Sequence, residues 1–252
     1  MFEGGTRING QAGQPKVSII TVVYNAAPLF KQYMANVLPY LNNDDVELVM
    51  IDGNSTDGTL GLLQEYNDRI DYWRSEPDDG IYDAMNKAIT YSQGKWMFFL
   101  GMDDNLMDGF HNMVADLKDA RTIYYGNTVY YGTPYRKVYD DYYLTKLNLV
   151  HQSIFYPRAV FNKYRYDTKY KVYADYHLNL RLWHDQDFKF VYRDHWVAGF
   201  PEGGFSSTAA DPVFERDRDR LFKKYLGKKA YYRYLNRTLG WFKTLIRMVT
   251  NG

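Results

Sequence analysis

Cysteine is absent from the 252 residues, which rules out a disulfide framework, a thiolate nucleophile and any Cys-based zinc site. That lack agrees with a reducing compartment. Long apolar runs are missing as well: no segment approaches the roughly 18 consecutive apolar residues of a membrane span. The first sixteen residues, MFEGGTRINGQAGQPK, are polar and Gly-rich, without the apolar stretch of a signal peptide. Residues 1–15 therefore read as a mobile leader, and the chain as cytoplasmic, either soluble or peripheral on the inner face of the membrane. Charge of one sign is nearly lacking overall, at +1, yet from Phe214 to Gly252 eleven Lys or Arg face three acids, so this tail carries +8 against −7 for the rest. A basic tail beside an acidic body argues against a surface that coats nucleic acid and for a local anionic contact.

What is present suits a globular enzyme. Apolar residues make up 46% and charged residues 24%, an ordinary balance for a packed core, and the length allows one catalytic-sized domain with an appendage. Tyr is abundant, with 26 copies. Each offers a flat apolar face and a hydroxyl, which serve packing first and stacking on a sugar or base second. Strand and helix patterns alternate in the first half. Val17 to Val23 is β-branched and apolar, YNAAP supplies a turn, and Pro28 to Tyr40 has helical spacing. Val46 to Ile51, the polar loop Asp52 to Gly58, and a helix carrying Leu60, Leu62 and Leu63 repeat the unit. Ile70 to Trp73, a helix from Gly80 to Tyr91 and a strand at Trp96 continue it. Such alternation implies right-handed crossovers and a parallel sheet. After a helix at Phe110 to Leu117, strands at Thr122 to Tyr125, Val129 to Tyr131 and Arg136 to Tyr139 read as antiparallel additions. A helix at Asp175 to Trp183 and strands at Phe188 to Tyr192 and Trp196 to Phe200 follow.

Three acidic segments fall at successive loops on one edge of this sheet. WMFFLGMDD is an apolar run that stops in two adjacent carboxylates, Asp103 and Asp104. Open α/β sheets bind ligands at the carboxyl ends of their strands, and paired acids there repel unless a cation or a donor is shared. The other reading is a solvated turn, since Asp-Asp-Asn is good turn chemistry. Asp52 closes the second strand and opens DGNSTDGT, in which Asp57 and Thr59 cap the next helix. EPDDGIYDAMNK sets Asp78, Asp79 and Asp83 at a helix start, where acids also simply complement the helix dipole.

Taken together, SIITVVYN, IDGNSTDGT and FLGMDD, in this order and spacing, resemble the inverting family-2 glycosyltransferases of the nucleotide-binding GT-A fold. SEPDDGIYDAMNKAI, HQSIFYPR, RYDTKYKVYADYHLNLRL and GGFSS are similar to a subgroup of colanic-acid and exopolysaccharide-type sugar transferases. The likeness covers about residues 16 to 208. It implies a GT-A domain over 16–210, a mainly parallel mixed sheet flanked by helices, with a helical tail at 211–252.

Position by position, the resemblance implies that Thr21, Tyr24 and Asp52 hold the nucleotide base and ribose, and that Asp103 lies near the ribose or diphosphate. Asp104 would ligate magnesium or manganese, the firmer assignment because the subgroup often has a small residue at the place of Asp103. Asp79, Asn86 and Lys87 would border the diphosphate. Asp175 matches the catalytic base; without the resemblance it reads as an N-cap. His151 and Gln152 stand where the subgroup has a His-Gln pair, an acceptor or phosphate contact, although a hydrogen-bonded structural His fits equally. Gly204 and Ser206 belong to a loop near the acceptor or to an ordinary turn. The implied partners are a UDP- or GDP-type sugar donor and a glycan or lipid-linked glycan acceptor; the implied cofactor is Mn2+ or Mg2+.

In the tail, Leu235, Leu239, Phe242, Ile246 and Val249 recur at helical spacing opposite Arg233, Arg237, Thr244 and Arg247. Basic amphipathic helices of this kind lie on anionic membranes, or the apolar face docks on the protein's own body or on a second subunit. Two rival functions remain. A sugar nucleotidyltransferase would need a Gly-rich basic loop where YNAAPLFK stands; a catalytically silent glycan-binding module would have no use for Asp52, Asp104 and Asp175.

Overall fold

A computed structural model describes residues 1–9, 13–41, 44–200 and 210–250. The strands are β1 (Phe2–Gly4), β2 (Val17–Val23), β3 (Val46–Asp52), β4 (Tyr72–Ser75), β5 (Trp96–Phe99), β6 (Asn105–Leu106), β7 (Thr122–Tyr130), β8 (Thr133–Tyr135), β9 (Ile154–Pro157) and β10 (Lys189–Phe200). They form one sheet in the order β1-β4-β3-β2-β5-β9-β7-β10-β6, with β8 paired to β7. The helices are α1 (Ala27–Val37), α2 (Thr59–Glu65), α3 (Ile81–Tyr91), α4 (Gly109–Asp116), α5 (Arg158–Lys163), α6 (Ala174–His184), α7 (Pro212–Tyr225) and α8 (Lys228–Thr250).

β4, β3, β2 and β5 are mutually parallel, as the strand–helix alternation requires. Alternate side chains divide the sheet between two cores: Ile19, Leu48, Met50 and Phe98 pack with α1 on one face, and Ile20, Val49, Ile51, Met97 and Phe99 with α3 on the other. Every residue of β3 is buried, which is why its run shows no polar alternation. In α1 a proline in the first turn fixes the start, and Phe30, Tyr33, Met34 and Val37 bury one face at helical spacing.

Several expectations need correction. The leader is not mobile at its start: β1 pairs antiparallel with β4, and the Arg7 guanidinium meets Glu47 at 2.7 Å. These ties use backbone amides and a buried charge, so a polar composition conceals them. Thr122 to Tyr130 is one strand, not two, because Gly126 lets the His195 backbone approach; a Cβ there would fall 2.7 Å from the His195 carbonyl. It runs parallel to β10, while β9 and β8 pair with it antiparallel. Lys189–Phe200 form a single strand with register shifts after Tyr192, which explains the interrupted pattern. Arg136 to Tyr139 forms no strand.

The tail is not a separate appendage at its beginning. Phe214, Leu221 and Phe222 of α7 are buried, and Asp211 caps the helix by accepting from the Phe214 amide at 3.0 Å. The same carboxylate accepts the Val172 amide at 2.9 Å and the Tyr173 amide at 3.2 Å, so α7 pins the segment that leads into α6. The first half of α8 leans on the body: Arg237 donates to the Thr145 carbonyl at 3.3 Å, and Arg233 lies over Tyr142. Leu239 stays exposed. Among the described residues, no helix is long and apolar enough to cross a membrane.

Candidate active site

The carboxyl ends of β2, β3 and β4 build a recess. Two loops are knitted across it, with the Asn25 amide donating to Ser55 Oγ at 2.7 Å and the Ala27 amide to Asp57 Oδ2 at 3.0 Å. Asp57 also accepts the Thr59 amide at 3.1 Å, yet neither residue is the cap expected: Gly58 holds that position, with no side-chain cap bond. Asp52 is fully buried; its carboxylate accepts the Ser55 amide at 3.1 Å, the Ser75 hydroxyl at 2.6 Å and the Ser55 hydroxyl. Gly53 sits so close to its neighbours that a Cβ would lie 2.5 Å from Asp78 Oδ2 and 3.3 Å from Tyr24 Cδ2. The Tyr24 ring, 67% accessible, and the Asp78 carboxylate thus flank Gly53 from two sides, an exposed aromatic face near an acceptor of the kind a nucleoside base can stack on and donate to.

Asp78, absent from the sequence-based set, is the acid that turns inward. Its Oδ1 accepts the Gly80 amide at 2.8 Å, an Asx turn legible in the Asp-Asp-Gly spacing, and burial pushes its carboxyl up. Asp79 is exposed, with its carbonyl accepting from Lys171 at 3.2 Å. Asn86 and Lys87 are committed to the protein itself. The Asn86 amide exchanges two 3.0 Å hydrogen bonds with the Tyr166 backbone, and Lys87 Nζ donates to the Pro77 carbonyl at 2.7 Å and pairs with Asp83 at 3.0 Å. Both hold the loops that frame the recess. Thr21 is buried too, its hydroxyl paired with Tyr33 of α1, so it shapes the strand end from behind.

Beyond β5, Asp103 and Asp104 converge on Gly101, where a Cβ would fall 2.9 Å from Asp103 Oδ1 and 2.8 Å from Asp104 Oδ2. Asp104 is buried, and that burial, with the Asp103 charge adding, pushes its carboxyl up to about 7. The Gly101 amide at 2.7 Å and the Gln152 side chain oppose the shift. Gln152 therefore stands on Asp104. Two acids strained in this way fit a hard divalent cation on oxygen ligands. Among the described residues no set of three His, Cys, Asp or Glu could hold a metal, so a cation on this pair would need its remaining ligands from outside these side chains.

Asp175 is the second residue of α6, within the helix and not its N-cap; Tyr173 at the cap makes no side-chain bond. Its Oδ1 accepts the Tyr176 amide at 2.7 Å and faces the Tyr82 hydroxyl at 3.0 Å, while Asn148 Nδ2 donates to Oδ2 at 2.8 Å. Burial pushes this carboxyl up to about 6, a poise suited to proton transfer near neutrality. A packed chain links it to β5. Phe99 stacks on His151, His151 Nε2 meets the Tyr166 hydroxyl at 2.8 Å, and the Tyr166 ring lies against Tyr82. His151 is held near 3 by burial and so stays neutral, serving as a structural ring. Gly204 and Ser206 lie outside the described residues.

The raised Asp104 carboxyl carries a stability consequence with a definite sign. Below the unfolded value both states are protonated and the site costs nothing; above about 7 the folded state must hold a buried charge. Asp104→Asn should therefore stabilise the metal-free protein at pH 8 by roughly 1–3 kcal/mol, with the gain vanishing below pH 4. Thermal melts at the two pH values check this; equal shifts at both would refute it.

Comparison with known proteins places this geometry in context. The model of the family described as glycosyl transferase family 2 matches residues 18–190. A PGL/p-HBAD biosynthesis glycosyltransferase of Mycobacterium tuberculosis is 32% identical over 213 residues, covering 79% of this chain and 82% of the relative. Among solved structures, Staphylococcus aureus TarS in complex with UDP-GlcNAc superposes with a TM-score of 0.63 at 15% identity, over 84% of this chain and 71% of that one. The mannosyltransferase PcManGT of Pyrobaculum calidifontis, in complex with GDP-Man and Mn2+, gives 0.59 at 16% identity over 93% and 80%. At these identities the two structural matches speak for the fold alone.

Proposed function

The chain belongs to glycosyl transferase family 2, and from that membership we propose an inverting hexosyl transfer from a UDP- or GDP-sugar to a hydroxyl of a glycan or lipid-linked glycan, in exopolysaccharide-type assembly. The observation that supports this reading is the placement of Asp52 with Asp78 and of Asp103 with Asp104 after the carboxyl ends of parallel strands of one sheet, with Asp175 bonded to Tyr82 at the start of α3. Tyr24 stacks on the base, and the Asp52–Asp78 recess receives its N–H donors. Asp103 and Asp104 would hold Mn2+ or Mg2+, which when bound would offset the charge that develops on the departing diphosphate. Asp175 removes the proton of the attacking hydroxyl. Its Oδ2, with Asn148 as its one donor among the described residues, keeps a lone pair for that proton. A single displacement from the face opposite the diphosphate inverts the anomeric carbon and needs only this one base.

A panel of UDP- and GDP-sugars incubated with Mn2+, with and without chelator, tests the proposal. One donor should release nucleoside diphosphate only in the presence of metal and should raise the melting temperature. With pyrophosphate added, formation of UTP or GTP and sugar 1-phosphate would indicate a nucleotidyltransferase, and melting protection without turnover on any acceptor a silent module.

The same reading extends to the tail. Residues 228–250 carry six Lys or Arg and no acid, complementary to an anionic membrane that would present a lipid-linked acceptor. Full-length protein should co-sediment with anionic vesicles more than a chain ending at residue 239 does; equal partition ends the membrane proposal. A cut at Asp211 would instead remove the buried Phe214 and Phe222 and damage the core.

A further inference from the structure

A buried row of polar groups stands behind Asp175. The Tyr156 hydroxyl donates to Asn179 Oδ1 at 2.8 Å, Asn179 Nδ2 to Asn148 Oδ1 at 2.9 Å, and Asn148 Nδ2 to Asp175 Oδ2 at 2.8 Å. Tyr156 and Asn179 are wholly inaccessible. An amide can be turned end for end, so the direction of such a row is decided by its termini. At one terminus an ionised carboxylate only accepts. At the other a buried phenol must find an acceptor for its single proton or lose the full cost of desolvation, and Asn179 Oδ1 is the acceptor it meets. Both ends impose the same direction on the two amides between them.

We propose that Tyr156, Asn179 and Asn148 form a one-way hydrogen-bond relay whose function is to lock the Asn148 amide as a donor to Asp175, so that this carboxylate stays ionised and oriented to take a proton. The three are positioning residues; none is assigned contact with substrate. The inference rests on Asp175 being the base. Among the described residues the remaining titratable groups around it are phenols: Tyr82 from α3, Tyr156 from β9, Tyr166 after α5 and Tyr176 from α6. Burial raises all four, so they remain neutral. The charged groups on the adjoining elements are turned elsewhere, with Asp83 on Lys87, His177 toward Asp167, Asp211 on the Val172 amide, and Arg218 and Arg237 acting on Tyr176.

The test is the pH profile of kcat for the full chain at saturating donor, acceptor and Mn2+. Asn148→Leu removes the donor and should move the acid limb upward by about one pH unit, because loss of a hydrogen bond to the charged form raises a carboxyl pKa. The double variant Tyr156→Phe with Asn179→Leu replaces both members of a buried pair by apolar groups of similar shape, which cores tolerate. It never touches Asp175, yet by freeing Asn148 to turn it should move the limb in the same direction by a smaller amount. Donor KM should hold in both. If one variant fails to fold, the other still carries the test. Limbs that coincide with the parent's, whatever the turnover, would overturn the relay, as would a limb that moves when Mn2+ is varied tenfold, since that behaviour belongs to the Asp103–Asp104 pair. Failure of the underlying reading is recognised separately: Asp175→Asn would then remain active.

Discussion

Asp175→Asn should lose turnover by about 10³-fold or more while binding the donor as tightly as the parent. The substitution keeps the side chain's shape and an oxygen for the Tyr176 amide, but its nitrogen cannot accept the proton of an attacking hydroxyl and would turn two donors against Asn148 Nδ2. The donor recess is built from Tyr24, Asp52 and Asp78, on loops that Asp175 does not touch, so donor affinity has no reason to change. Calorimetric titration with the nucleotide sugar and single-turnover rates separate the two quantities. A variant that turns over within tenfold of the parent would remove Asp175 from the role of base. The pH dependence has the same origin. A carboxyl near 6 is ionised and competent above that value, so kcat should fall as pH drops through it, and the fall should be absent from any residual activity of Asp175→Asn.

The parts of the molecule that patterning reveals are those in which side chains alone decide. β2, β3 and β5 are runs buried on both faces, and α1 and α3 bury residues at helical spacing; each was legible to within a few positions. Asp52, Asp103 and Asp104 were legible as candidates because acids stood at the ends of apolar strands. The leader's strand was hidden because its partner is backbone, and the docking of α7 into the core was hidden because ERDRDR masks the three buried residues around it. The surroundings of the other candidates were hidden for a related reason. Asp79 and Asp78 are equivalent on paper, and the turn that sends Asp78 inward is fixed by a Gly80 amide. Asn86 and Lys87 lie at the right place in the motif, but their partners are carbonyls and amides of Tyr166 and Pro77, which no side-chain pattern announces. Asn148 and Asn179 gave no signal at all, since a buried amide pair acquires its meaning only when three distant segments meet.

Asp104→Asn should abolish metal-dependent turnover, by about 10²–10³-fold, in the same protein that melts higher at pH 8. Its oxygen can still accept the Gly101 amide, so the loop after β5 keeps its shape, and the buried charge that the parent sustains is gone. What is lost is half of the negative potential that Asp103 and Asp104 focus on the point where a Cβ of residue 101 would lie. A divalent ion gains several kcal/mol from each carboxylate it meets in a partly dry site, and that gain is the reason to keep two like charges close against their repulsion. Opposite signs for stability and activity in one variant identify strain retained for function, whereas an ordinary structural acid would lose both together. Melting curves with and without Mn2+ add the third reading. The parent should gain more from the ion at pH 8 than at pH 5, because below about 7 a proton competes for Asp104, and the variant should gain little at either. Full turnover in Asp104→Asn, or an equal Mn2+ shift in both proteins, would assign the pair to a solvated turn and return the metal question to other residues.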